Sequence, residues 1–216
     1  MLIREKTRGT DPGARDPAEA GHSGTAAPPV PGLVFRGFRG EVDYPSMLAV
    51  IEGCKEADGL ECSDTLQDIA RNYRHLYNCD PYRDMIFAEV NGQVVGYGRV
   101  FWDQEATGLR RYPHFAFLLP EWRGKGIRRA MLRRNEERLR QIAAEHPDDG
   151  PRFLEAWAED GEVHWQQLLV EEGYEEIRYS FEMVRPDLEN IPDLPLPPGL
   201  EVRPVQPEQI PQIWDA

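Results

Sequence analysis

Over residues 1–31 the only large aliphatic side chains are Leu2, Ile3 and Val30, set among Gly, Pro, Ala and charged residues. Such a stretch cannot bury enough apolar surface to offset the entropy lost on ordering, so it reads as a disordered leader. From Leu33 the pattern changes. Leu33-Val34-Phe35-Arg36-Gly37-Phe38 has the density of a strand, and Tyr44 to Ala57 carries apolar positions at helical spacing with Asp43 placed to cap it. A second helix is predicted from an Asp64 cap to about Tyr77. Met85–Val90 and Gln93–Trp102 flank Asn91-Gly92, a strong local hairpin signal. Tyr112 to Leu119 reads as a strand stopped by Pro120, and Gly126 to about Glu145 as a helix ended by His146-Pro147. A strand over Arg152–Trp157, a helix from Val163 to Glu172 closed by Gly173, and a last strand from Ile177 to Val184 complete the order β-α-α-β-β-β-α-β-α-β. That order implies a mixed α/β layer.

The segment 186–199 is proline-rich and predicts an extended linker. Beyond it, Pro198-Gly-Leu-Glu-Val-Arg-Pro-Val205 echoes Pro31-Gly-Leu-Val-Phe-Arg-Gly-Phe38. Either this is a chance match of two strand starts, or residues 200–216 open a second copy of the domain over 32–185.

Lys and Arg number 25 against 38 Asp and Glu, a formal net charge of −13, which argues against a general nucleic-acid or anionic-membrane binder. Cys54, Cys62 and Cys79 form no CxxC pair and no zinc spacing, so neither a metal site nor a disulfide framework is expected, and a reducing, cytoplasmic setting fits. No apolar run approaches the length of a membrane span, and no secretory signal is legible at the N-terminus.

Chemistry concentrates in Leu118-Leu119-Pro120-Glu121-Trp122-Arg123-Gly124-Lys125-Gly126-Ile127-Arg128-Arg129. A glycine loop between a strand and a helix start presents unpaired N–H groups and the positive end of the helix dipole to an anion, and a diphosphate could accept several such bonds. Neither GxxxxGK[ST] nor GxGxxG is present. Arg133, Arg134, Arg138 and Arg140, interspersed with Glu136 and Glu137, read first as a solvated helix face and second as a site for a ligand phosphate. Trp102, Trp157 and Trp165 lie in apolar runs and are expected in the core.

The loop resembles motif A of the GNAT superfamily of N-acyltransferases, Q/R-x-x-G-x-G/A, with Arg123 and Gly126 at its first two fixed positions. The resemblance covers about residues 33 to 185. It implies a mixed, mostly antiparallel central sheet flanked by helices, acetyl-CoA as co-substrate without a metal, and transfer of the acetyl group to a small-molecule or peptide amine. The acidic balance favours a cationic amine. It implies a cofactor site at Arg123, Gly124, Lys125, Gly126, Ile127 and Arg128, with pantetheine along Phe117 and Leu118 and an oxyanion donor near the Leu118 N–H. Two departures stand out. The last motif position, normally Gly or Ala, is Arg128. The family's N-x-x-A-x-x-L-Y stretch falls on Glu162, Trp165, Leu168 and Leu169, so the tyrosine that serves as general acid is a leucine. Glu155 and His114 are the candidate bases, Glu155 slightly preferred; either could equally be structural. Two rival readings stay open: a non-catalytic or degenerate acyl-CoA-binding module of a tandem protein, and an acidic α/β binding protein whose glycine loop is only a turn.

Overall fold

The structure is a computed structural model that describes residues 2–6, 28–60, 63–181, 183, 185, 187 and 189–214. Its contacts divide into one unit over Met1–Ser180 and another over Phe181–Ala216.

In chain order the first unit contains β1 (Leu2–Lys6), β2 (Leu33–Arg36), α1 (Tyr44–Asp58), α2 (Leu66–Arg74), α3 (Pro81–Asp84), β3 (Met85–Val90), β4 (Gln93–Val100), β5 (Asp103–Gln104), β6 (Arg110–Leu118), α4 (Ile127–Ala144), β7 (Arg152–Trp157), α5 (Val163–Glu171) and β8 (Glu175–Arg178). The sheet runs β2-β3-β4-β6-β7-β1-β8, with the short β5 paired to β6. Every pairing is antiparallel except β6 with β7. The mixed, mostly antiparallel sheet between helices expected from the sequence is therefore present.

Alternation along the strands divides the core in two. On β6, Tyr112, Ala116 and Leu118 join Leu132, Leu139, Trp165 and Leu169 beneath α4 and α5. Phe115 and Phe117 turn to the opposite face and pack with Tyr97, Met47 and Val50 beneath α1 and α2. Leu132 and Leu139 are fully buried, each stabilising the fold by about 1.5–3 kcal/mol. The Asn91-Gly92 turn takes φ of 49° and 85°, the left-handed pair a tight hairpin between β3 and β4 requires.

Several local expectations shift. Leu2–Lys6, placed in the leader by composition, form β1 between β7 and β8, because a short strand can satisfy its backbone from two neighbours even in a poorly apolar stretch; residues 7–27 lie outside the described residues. The second helix is capped by Thr65 rather than Asp64: Thr65 accepts from the Asp68 N–H at 3.2 Å while Asp68 accepts from the Thr65 N–H at 3.1 Å. Asp43 makes no cap bond; it is buried, accepting from Arg36 at 2.8 and 2.9 Å and from the Arg39 N–H at 2.7 Å. The last strand ends at Arg178, short of the expected Val184, and residues 182 and 184 lie outside the described residues. Trp157 is 46% exposed instead of buried, whereas Trp165 is 1% exposed and Trp102 packs half-buried on the core. On α4 Arg140 pairs within the helix with Glu136 and Arg138 donates to Gln141 at 3.4 Å, while Arg133 reaches Glu172 and Arg138 also reaches Asp84, so this face ties elements together.

The second unit carries a single 3-10 turn at Pro207–Gln209 followed by α6 (Ile210–Trp214), with Leu200, Val202 and Trp214 exposed. The strand expected at its start is absent: residues 200–206 are irregular.

Candidate functional site

The glycine loop is built from backbone. After Leu118 the chain makes a 3-10 turn over Pro120–Trp122 and enters α4 through Gly124 at φ 73° and Gly126 at φ 79°, conformations only glycine adopts without strain. Gly126 gives α4 no side-chain cap, and no acidic residue stands in the helix's first turn. The opening N–H groups of the helix are thus left for an external acceptor. A Cβ at Gly124 would meet nothing within 4 Å, so the outside of the loop is open there; at Gly126 the nearest atom is Cβ of Pro28, at 3.3 Å. These residues fit an anion held by main-chain donors.

The basic side chains of the loop behave differently. Arg123 turns inward and makes a bidentate pair with buried Asp58 at the end of α1, 2.7 and 2.6 Å, while its Nε donates to the Leu118 carbonyl at 3.2 Å. Its guanidinium clamps the loop to α1 instead of adding charge to the loop's outer side. Lys125 stays exposed, donating to the Glu121 carbonyl at 2.8 Å and lying 4.4 Å from the Trp122 ring centroid. Ile127 is fully buried and anchors the first turn of α4.

Beside the loop the two parallel strands part. Pairing of β6 with β7 runs from Arg110↔Arg152 to His114↔Ala156 and ends there, while β6 continues to Leu118 alongside β4. The Leu119 N–H bonds to Val95 on β4, so by alternation Ala116 and Leu118 direct their N–H and C=O groups toward the open side. Arg128 enters this opening. Only 3% exposed, it donates from Nε to the Ala116 carbonyl at 2.7 Å and from Nη2 to Glu162 at 2.9 Å, with its guanidinium 4.4 Å from the Trp165 ring centroid. Its Nη1 has no partner among the described residues. Burial pulls the Arg128 pKa down and Glu162 opposes that pull.

The two candidate bases lie on opposite faces of the sheet. His114 faces α4 and α5, its Nε2 2.7 Å from the Tyr174 hydroxyl, which donates to Glu136 at 3.0 Å. Burial, with a smaller contribution from Arg140, pushes the His114 pKa down to about 3, so the ring is neutral at physiological pH; its Nδ1 is buried without a partner. Glu155, 1% exposed on β7, lies 3.7 Å from Arg111 on the face of Phe115 and Phe117. The expectation that it could simply face solvent fails: a carboxylate beside a guanidinium can be retained below the surface. Leu169, at the expected general-acid position, is fully enclosed in the core.

Sequence reasoning missed Asp58, Glu136 and Tyr174. Asp58 reads as an ordinary helix-end acid 65 positions before Arg123, and only folding shows that they meet.

Residues 51–147 match the model of the acetyltransferase (GNAT) family. Over those residues the chain is similar to the GNAT family. Among solved structures, a GCN5-related N-acetyltransferase from Sphaerobacter thermophilus superposes with a TM-score of 0.60 at 18% identity, covering 69% of this chain but only 45% of its own. The domain here thus corresponds to under half of that protein. A ribosomal-protein-alanine N-acetyltransferase from Brucella melitensis gives 0.50 at 23% identity, covering 67% of this chain and 86% of the other. A predicted acetyltransferase from Clostridium acetobutylicum, solved with acetyl-CoA, gives 0.51 at 15% identity, covering 70% and 96%. At these identities the likeness establishes the fold. No curated protein matches the sequence.

Proposed function

We propose that the GNAT domain binds acetyl-CoA at the Arg123–Arg128 loop and transfers its acetyl group to the amine of a small molecule or peptide. The observation that carries this reading is the parting of β6 and β7 directly beside a glycine-shaped, uncapped helix N-terminus. The diphosphate would be held by main-chain N–H groups of Gly124 to Arg128, with Lys125 as the exposed charge near them. Phe117 and Leu118 supply the strand edge for the pantetheine arm, and the Leu118 N–H, turned to the open side, is the donor for a developing oxyanion. When bound, acetyl-CoA supplies the activated thioester. The acceptor nitrogen must lose its proton, and Glu155 is the preferred acceptor for it, directly or through water, because His114 resists protonation.

A second reading, an acyl-CoA-binding module without turnover, is favoured by Leu169, which offers no proton to a leaving thiolate, and by the Arg128 side chain in the opening. It would suit one copy of a tandem protein. In keeping with it, we propose that residues 200–216 begin a second copy after the linker at 186–199, on the strength of the echo between Pro31–Phe38 and Pro198–Val205.

Calorimetric titration of coenzyme A into the full chain, with thiol release from acetyl-CoA followed over a panel of amines, tests both readings. Binding with amine-dependent release supports the enzyme, and binding without release the module. Gly126→Val should abolish binding while circular dichroism stays unchanged, because a side chain there both strains a left-handed turn and fills the face of the loop. Unaltered binding in that variant overturns the assignment of the loop.

A further inference from the structure

A cavity of about 260 Å³ opens between α4, α3 and the β2–β3–β4 end of the sheet, away from the glycine loop. Arg134 and Arg138, which line it, follow Gly126 by 8 and 12 positions on α4, or about 12 and 18 Å along the helix axis. Four arginines face it: Arg36, Arg83, Arg134 and Arg138. In a chain with an excess of acids, their pairing is uneven. Arg36 bonds Asp43 at 2.8 Å and Glu89 at 2.5 Å, Arg138 bonds Asp84 at 2.8 Å, and neighbouring Arg39 lies 3.6 Å from the same Glu89. Three guanidiniums and three carboxylates thus cancel. Arg83 and Arg134 have no carboxylate partner among the described residues, which leaves two positive charges on one cavity.

Arg134 is the more informative of the two. It is half-buried with its guanidinium 4.7 Å from the Phe35 ring centroid, and its Nε–H is shielded from solvent without an acceptor among the described residues. A donor taken from water and left unpaired is costly and calls for a partner that the described residues do not supply. Arg83 stands exposed at the rim, free to close over whatever enters.

We propose that this cavity is a binding site for the phosphoryl group of a small phosphate monoester, separate from the coenzyme site. Such a group carries close to two negative charges and three acceptor oxygens in one compact unit, matching two uncommitted guanidiniums in a space that leaves room for a small organic body. The planar forks of Arg134 and Arg83 take bidentate bonds to phosphoryl oxygens, and Arg36 and Arg138, held by their own carboxylates, shape the walls.

Inorganic phosphate and glucose 6-phosphate, titrated at constant ionic strength and followed through the Arg134 Nε–H resonance, provide the test. Both are expected to shift that resonance saturably, the sugar phosphate more tightly. Arg83→Gln, at the rim and outside the core, should weaken both about tenfold or more while leaving coenzyme A affinity unchanged. Arg134→Lys, which keeps the charge and loses the fork, should weaken them too. No saturable shift at Arg134, unaltered affinity in Arg83→Gln, or equal binding of succinate would each overturn the assignment. Loss of coenzyme A binding in Gly126→Val with phosphate binding intact is the expected sign that the two sites are independent.

Discussion

Removing the carboxylate of Glu162 should strand the Arg128 guanidinium inside the domain. In the parent, Arg128 is 3% and Glu162 6% exposed, they meet at 2.9 Å, and the second oxygen of Glu162 accepts from the Glu159 N–H at 3.1 Å. After Glu162→Ala the guanidinium keeps one hydrogen bond, to the Ala116 carbonyl, and the face of Trp165. Breaking a buried pair by deleting one partner costs about 3–5 kcal/mol, most of it the desolvated charge left behind. For a domain of this size that corresponds to roughly 6–20 °C in Tm. Replacing both, as in Arg128→Met with Glu162→Ala, removes the stranded charge and should recover most of the loss, giving a coupling of about 2–3 kcal/mol in a double-mutant cycle. Urea denaturation measures this, with an unchanged m-value showing that the native state remains compact. A loss below about 1 kcal/mol for Glu162→Ala alone would mean that Arg128 is not confined as described and that water reaches the opening.

Asp58→Ala should cost about 3 kcal/mol, the lower end for a broken buried pair because Arg123 keeps 13% exposure and its bond to Leu118; chemical denaturation checks it, and a loss below about 1 kcal/mol would remove the clamp from the account. His114, with a folded pKa of about 3 against an ordinary 6.5, binds its proton more readily in the unfolded chain. The stability it contributes is therefore complete above about pH 6.5 and lost as pH falls from there toward 3, so His114→Gln should flatten the decline in urea midpoint between pH 7 and 4. Parallel declines in parent and variant would refute that. Leu169→Tyr should lower stability by about 1–3 kcal/mol through overpacking and leave thiol release unchanged, since the side chain is enclosed; a rise in turnover would show that the position does open to the reaction.

What could be read from the sequence was what depends on neighbours in the chain. The hairpin at Asn91-Gly92, the strand stopped by Pro120 and the glycine entry to α4 are fixed by local backbone chemistry, and all three are seen. The loop could be located for the same reason. What could not be read depends on partners far away. The loop's cations looked alike as residue types, yet Arg123 is claimed by Asp58, Arg128 by Glu162 and only Lys125 stays in solvent. His114 and Glu155 both looked like candidate bases, Glu155 slightly preferred, but strand parity puts them on opposite faces and burial holds His114 neutral. Thr65 took the cap because its side chain meets Asp68 in the first turn, a geometric preference that composition alone does not rank over Asp64.

The departures that the resemblance implies meet in the folded domain. By that resemblance Arg128 stands where the motif has Gly or Ala, Glu162 where the second motif has Asn, and Trp165 where it has Ala; the Arg128 side chain touches both of the others. A large cation replacing a small residue would be intolerable in a buried opening without a carboxylate to neutralise it and a flat surface to cover it. Glu162 and Trp165 supply both, and the Trp165 ring is itself fixed by its Nε1–H bond to the Trp157 carbonyl at 2.9 Å. The three side chains therefore form one unit beside the loop, with Arg128 reaching the Ala116 carbonyl on β6. Arg128 thereby bears on how the coenzyme would be held. If the pantetheine arm must occupy the space that Arg128 now holds, shortening that residue in the neutralised background of Glu162→Leu should tighten coenzyme A binding. If the buried, unpartnered Nη1 of Arg128 is itself a donor to the ligand, the same change should weaken it. Calorimetry on the paired variant separates the two, because both outcomes leave the anion-binding glycines untouched.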